Sequence, residues 1–66
     1  MKIHDKLKKA RKEKGLTLQQ LGDIVGHSHV YISKIENGKN ISLEVLYKIA
    51  SGLGFDIEIN LIDKNL

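Results

Sequence analysis

The punctuation between Leu16 and Gly38 constrains this chain most, because the run LTLQQLGDIVGHSHVYISKIENG holds two cappable helices around one glycine. Thr17 is an N-cap candidate, and Leu18, Leu21, Ile24 and Val25 follow at helical spacing, which predicts a short amphipathic helix. Gly26 breaks it. Ser28 is then placed to cap a second helix ending at Gly38, where glycine permits the positive φ of a helix stop. Ile32 and Ile35 lie three apart, so they point to one side and turn Ser33 and Lys34 to the other. The expected inside of this corner is Leu21, Ile24, Ile32 and Ile35; the expected outside includes Ser33 and Lys34.

The flanks extend the pattern. From about Ile3 to Lys14 the apolar residues Ile3, Leu7 and Ala10 recur among lysines, which predicts a first helix with one thin buried stripe, stopped by Gly15. After the loop Asn37 to Ile41, Ser42 is a cap for a helix to about Ser51 or Gly52, with Leu43, Leu46, Ile49, Ala50 and Leu53 on its buried face. The tail then changes period. Phe55, Ile57, Ile59 and Leu61 alternate with Asp56, Glu58 and Asn60, as in a half-buried strand over residues 55–62. The sequence holds no second convincing strand, and a lone strand is a poor structure with open backbone groups. The economical expectation is an antiparallel two-stranded ribbon formed with a second copy, Phe55, Ile57, Ile59 and Leu61 being the dimerisation residues. The competing expectation is a frayed tail packed on its own helices.

Sixty-six residues make one small domain, 1–66, that buries only about 60% of its unfolded surface, so outside support is expected. Without cysteine or proline there is neither a disulfide framework nor a Cys-based zinc site, and no apolar run suggests a signal peptide or membrane span. A cytoplasmic protein without a cofactor is expected. Charge is uneven: residues 1–14 hold seven Lys or Arg against Asp5 and Glu13, a net +5, while the remainder sums to −2. Such a helix suits a polyanion, although a solvated lysine face is the commoner meaning of the same pattern.

Taken together, the run RKEKGLT at Arg11 to Thr17, QQLG at Gln19 to Gly22, the turn at Gly26, ISKIENGK at Ile32 to Lys39 and SLEVLYKIASGLG at Ser42 to Gly54 resemble the Cro and phage-repressor, or Xre, family of helix-turn-helix proteins. The resemblance implies a mainly α, lambda-repressor-like DNA-binding domain of four to five short helices. It implies that the third helix enters the major groove. Position by position, Ser28 caps that helix or touches phosphate, and His29, Val30, Ser33 and Lys34 face the bases. Lys34 suits guanine O6 and N7, Val30 a thymine methyl, and His29 a base acceptor or phosphate. Tyr31 is either a phosphate contact through its hydroxyl or a ring shielding the turn. Asn37, Gly38 and Lys39 resemble a loop that offers backbone amides and a lysine to phosphate, and Arg11 with Glu36 an internal ion pair. Two departures stand out. Relatives often carry a phosphate-clamping glutamine directly after the threonine, where this chain has Leu18 and only Gln19 as a substitute; and Gly22 stands where alanine is usual.

Other chemistries fit less well. His27 and His29 flank a helix start two residues apart, a spacing that does not aim both rings one way, and His27 occupies a usually apolar turn position. Ser28 and Ser33 are accounted for as cap and groove residues, and neither a phosphate-cradling loop nor a carboxylate pair appears, so no enzyme is expected. Two functions stay open. One is a homodimeric repressor on a palindromic operator, within which the terminal LGFDIEINL looks similar to HipB-type antitoxins that repress their own operon and hold a kinase toxin. The other is a protein-interaction module that neutralises a toxin or regulator through the acidic, apolar tail, with incidental DNA affinity.

Overall fold

Four helices, α1 (Ile3–Glu13), α2 (Leu18–Val25), α3 (His29–Glu36) and α4 (Leu43–Gly52), make up the ordered elements of a computed structural model that describes residues 2–65. Met1 and Leu66, the two ends of the expected 1–66 domain, lie outside the described residues.

Local chemistry sets the helix starts. Thr17 Oγ1 accepts from the Gln20 N–H at 3.0 Å while Gln20 Oε1 accepts from the Thr17 N–H at 2.9 Å, a reciprocal capping box. Ser28 and Ser42 cap α3 and α4 through single bonds from the Tyr31 and Val45 amides. The ends are equally local: α1, α3 and α4 each stop in a glycine whose following amide folds back onto the helix. At α4 the Gly54 N–H donates to Ser51 and the Phe55 N–H to Ala50, at 3.0 and 2.9 Å, with Gly54 at φ 82°. Any other L-residue there carries the left-handed penalty of about 1–2 kcal/mol.

The core is contributed by all four helices: Leu7 from α1, Leu21 and Val25 from α2, Ile32 and Ile35 from α3, Ile49 from α4, and Leu53 just beyond it. Leu21, Ile32, Ile35 and Ile49 are fully buried, each worth about 1.5–3 kcal/mol of transfer free energy. Two close approaches tighten the packing. A Cβ on Gly22 would stand 2.4 Å from the His27 carbonyl oxygen, and one on Gly52 2.6 Å from Val25 Cγ1. Gly22 therefore lets the turn fold back on α2, and Gly52 lets α4 lie against α2.

Three residues expected in the core need correction, and the tail differs as well. Ile24, assigned to the inside, is 55% exposed, because it sits at the rim of α2 where Gly52 leaves no side chain to cover it. Leu43 is 57% exposed, because it lies about 120° round α4 from Ile49, at 100° per residue, beyond the arc that α2 covers. Ile3 is half-exposed at the open start of α1. Residues 55–63 form neither helix nor strand within the single chain. A strand exists only where a neighbour supplies ladder bonds, and among the described residues no second segment does. Ile59, Leu61 and Ile62 accordingly stay exposed.

Candidate nucleic-acid interface

The sequence between the two capping residues decides which side of α3 is free. Ile32 and Ile35 are buried, with Glu36 beside them, so the opposite row of Val30, Lys34 and Asn37 is turned to solvent. Val30 is an apolar residue left half-exposed. His29 opens the helix on the exposed side, and Ser33 lies at the margin, its Oγ accepting from Asn37 Nδ2 at 3.5 Å. Ser28 lies at the N-terminus, where its Oγ caps the helix. His29, Val30, Ser33, Lys34 and Asn37 thus fall on one contiguous outer surface, with Lys39 following in the loop.

Tyr31 is placed otherwise. Its ring packs on His27, with centroids 4.6 Å apart, and both side chains are half-buried. That contact packs His27, in the turn between α2 and α3, against the first turn of α3.

Gln19 is exposed on α2, but its Nε2 donates to Asp23 Oδ1 at 2.9 Å, one helical turn on. The i, i+4 spacing of Gln19 and Asp23 is the signal that sequence reading passed over. One of the two amide donors is therefore already satisfied, and a carboxylate accompanies it.

The loop after α3 also departs from expectation. The amides of Asn37, Gly38 and Lys39 all donate back to carbonyls of α3, to Ser33, Ile35 and Lys34 respectively, each at 3.0 Å. The helix stop consumes them, so this loop offers side chains and not these N–H groups. Lys39 is exposed, and the His4 ring lies against the other side of Gly38.

What holds this surface in place is a buried ion pair. Arg11 Nε donates to Glu36 Oε2 at 2.6 Å and Nη2 to Glu36 Oε1 at 3.0 Å, while Nη1 donates to the Leu16 carbonyl at 2.7 Å. The hydrogen bond to Glu36 raises the guanidinium pKa above its ordinary value, against the lowering effect of burial. One side chain thus ties α1, the loop before α2 and the C-terminal end of α3 together. The Leu16 contact carries no sequence signal, since any residue provides a carbonyl.

Around this centre lysines predominate. Lys6, Lys9 and Lys12 are exposed along α1 together with Asp5 and Glu13, Lys9 Nζ lying 4.0 Å from Glu13 Oε1, whereas Arg11 is turned inward. Among the described residues no group of three His, Cys, Asp or Glu side chains is gathered as a metal site would require, and no helix is long and apolar enough to cross a membrane.

A family model described as Helix-turn-helix, of the Xre and Cro-like type, matches residues 7–60, which include α1 from Leu7, all of α2 to α4, and the first part of the tail. No curated protein matches the chain.

Proposed function

Because the chain belongs to the Xre and Cro-like helix-turn-helix family, whose members are DNA-binding regulators and generally not enzymes, we propose that it is a homodimeric repressor reading a palindromic operator with α3. Double-stranded DNA is the partner that the family implies. The observation that carries the finer reading is the outward row of α3. An apolar residue, Val30, and a cation, Lys34, stand one turn apart and exposed on an otherwise polar face. That pairing suits a major groove, where a thymine methyl and guanine acceptors lie side by side. Lys39 and Gln19 are assigned to phosphate, Ser28 to capping, and Asn37 and His29 to either base edge or phosphate.

The dimer reading rests on the tail. Phe55, Ile57, Ile59 and Leu61 alternate with polar residues, and Leu61 is wholly exposed in the single chain. Pairing with a second copy supplies the missing ladder bonds and spaces two α3 helices for half-sites about 34 Å apart. An antitoxin role, with a toxin held by the acidic, apolar tail, is the second reading, supported by that same exposed segment.

Selection of bound duplexes from a random pool tests the proposal. A repressor enriches a palindrome and binds it about 10³-fold or more tighter than random DNA at physiological salt. A pool that enriches nothing, with equal affinity for every duplex, would favour the interaction module.

A further inference from the structure

The tail begins on a groove. Ile3, Leu7 and Ala10 of α1, Ala50 of α4, and Leu53, Phe55 and Ile57 enclose an apolar cleft of about 260 Å³ with Lys6 and Asp56 at its rim. This is smaller than ordinary small-molecule sites, and it lacks their convergent polar groups. Side chains suit it better than a cofactor. The same chain carries exposed apolar residues, Ile59, Leu61 and Ile62, only a few positions beyond the groove.

The pattern of the tail selects how a second copy would meet it. In an antiparallel pair, residues directly opposite point to the same face, so a two-fold ribbon keeps its apolar face intact only when odd positions oppose odd positions. Centring the ribbon on Asn60 sets the one carboxylate of the apolar face, Asp63, against Ile57, whereas centring it on Ile59 sets Asp63 against Phe55, the ring over which a cation, Lys14, already stands. Centring it on Glu58 sets Glu58 against its own copy, and like charges directly opposite are destabilising. Centring it on Ile59 sets Ile59 against Ile59, Glu58 against Asn60, and Leu61 against Ile57, which lines the groove.

Resting on the dimer reading above, we infer that the tails pair antiparallel about Ile59, so that the partner's Leu61 seats beside Ile57 over the groove between α1 and α4. The same register brings the partner's Asp63 opposite Phe55, whose ring already carries Lys14 Nζ at 5.2 Å from its centroid. Charge favours the exchange: residues 56–63 hold Asp56, Glu58 and Asp63 with no cation, whereas the outer side of α1 is rich in lysine. Ile62 points to the opposite face of the ribbon and takes no part.

Leu61 and Ile62 are both almost fully exposed in the single chain, so substituting either leaves the fold of one copy untouched. Sedimentation of the full chain should show Leu61→Asp raising the dimer dissociation constant at least tenfold and Ile62→Asp raising it less than twofold. The chain has no cysteine, so Ile59→Cys should oxidise to a covalent dimer, whereas Glu58→Cys, offset from its copy by two positions in this register, should not. Equal effects of the two aspartates, or cross-linking through Glu58→Cys in place of Ile59→Cys, would overturn the register and the seating while leaving a dimer. A monomeric full chain, or a dimer that survives truncation after Gly54, would overturn the ribbon itself.

Discussion

Arg11 and Glu36 stand 25 positions apart and meet through two parallel hydrogen bonds of 2.6 and 3.0 Å, buried where the end of α3 crosses α1. The arrangement is a fork on a carboxylate, which lysine cannot reproduce. Its energetic character follows from burial. Two charges taken out of water lose most of their attraction to desolvation, yet either one left alone is costly.

Arg11→Met and Glu36→Leu should each therefore cost about 3–5 kcal/mol, and the double variant should recover most of that loss. A 66-residue domain has about 3–10 kcal/mol in total, so the single variants stand near unfolding. Urea titrations of the four proteins form the cycle, and additive losses would count against coupling. The sign with pH is simple: the Arg11 pKa is raised on folding, so the guanidinium's contribution is present below the ordinary arginine range and lost only above it. Titration of Arg11 should thus contribute no change in stability between pH 6 and 9.

Gly22→Ala should destabilise by about 1–3 kcal/mol even though alanine is the better helix former by about 1 kcal/mol. The new methyl meets the backbone oxygen of His27, which has nowhere to go without moving the turn. Gly15→Ala is the contrast, since open space surrounds that position and only its φ of 70° opposes the substitution. Thermal unfolding of both variants distinguishes crowding from backbone strain.

Lys34→Ala should weaken binding to the selected operator by about 1–3 kcal/mol while changing random-DNA affinity little. Equal losses on both would place Lys34 on phosphate. Fluorescence anisotropy at two salt concentrations reads the difference.

Asp23→Asn should strengthen binding to all duplexes, more so at low salt, because it removes a carboxylate beside the Gln19 amide assigned to phosphate. Unchanged affinity would mean that Gln19 and Asp23 face away from the DNA.

Much of this was legible in advance where the chemistry is local. Thr17, Ser28 and Ser42 cap the helices they were expected to cap, and Gly15, Gly26 and Gly38 stand at left-handed turns after α1, α2 and α3. The outward setting of Lys34 follows from Ile32 and Ile35, because helical period fixes relative direction, while Ser33, assigned to the same side, lies at the margin. Period does not say how wide an arc is covered, which is why Ile24 and Leu43 were placed inside and lie outside.

The sequence by itself determined the helix boundaries, the caps and the inner and outer faces of α3, since each depends on neighbours within about four residues. Only the tertiary structure decided that Arg11 also holds the Leu16 carbonyl, that the turn leaves no room at Gly22, and that the amides after α3 are spent on the helix. These depend on where distant backbone arrives, which no local pattern encodes. The tail belongs to neither level within one chain, because a strand is completed only by the backbone it pairs with.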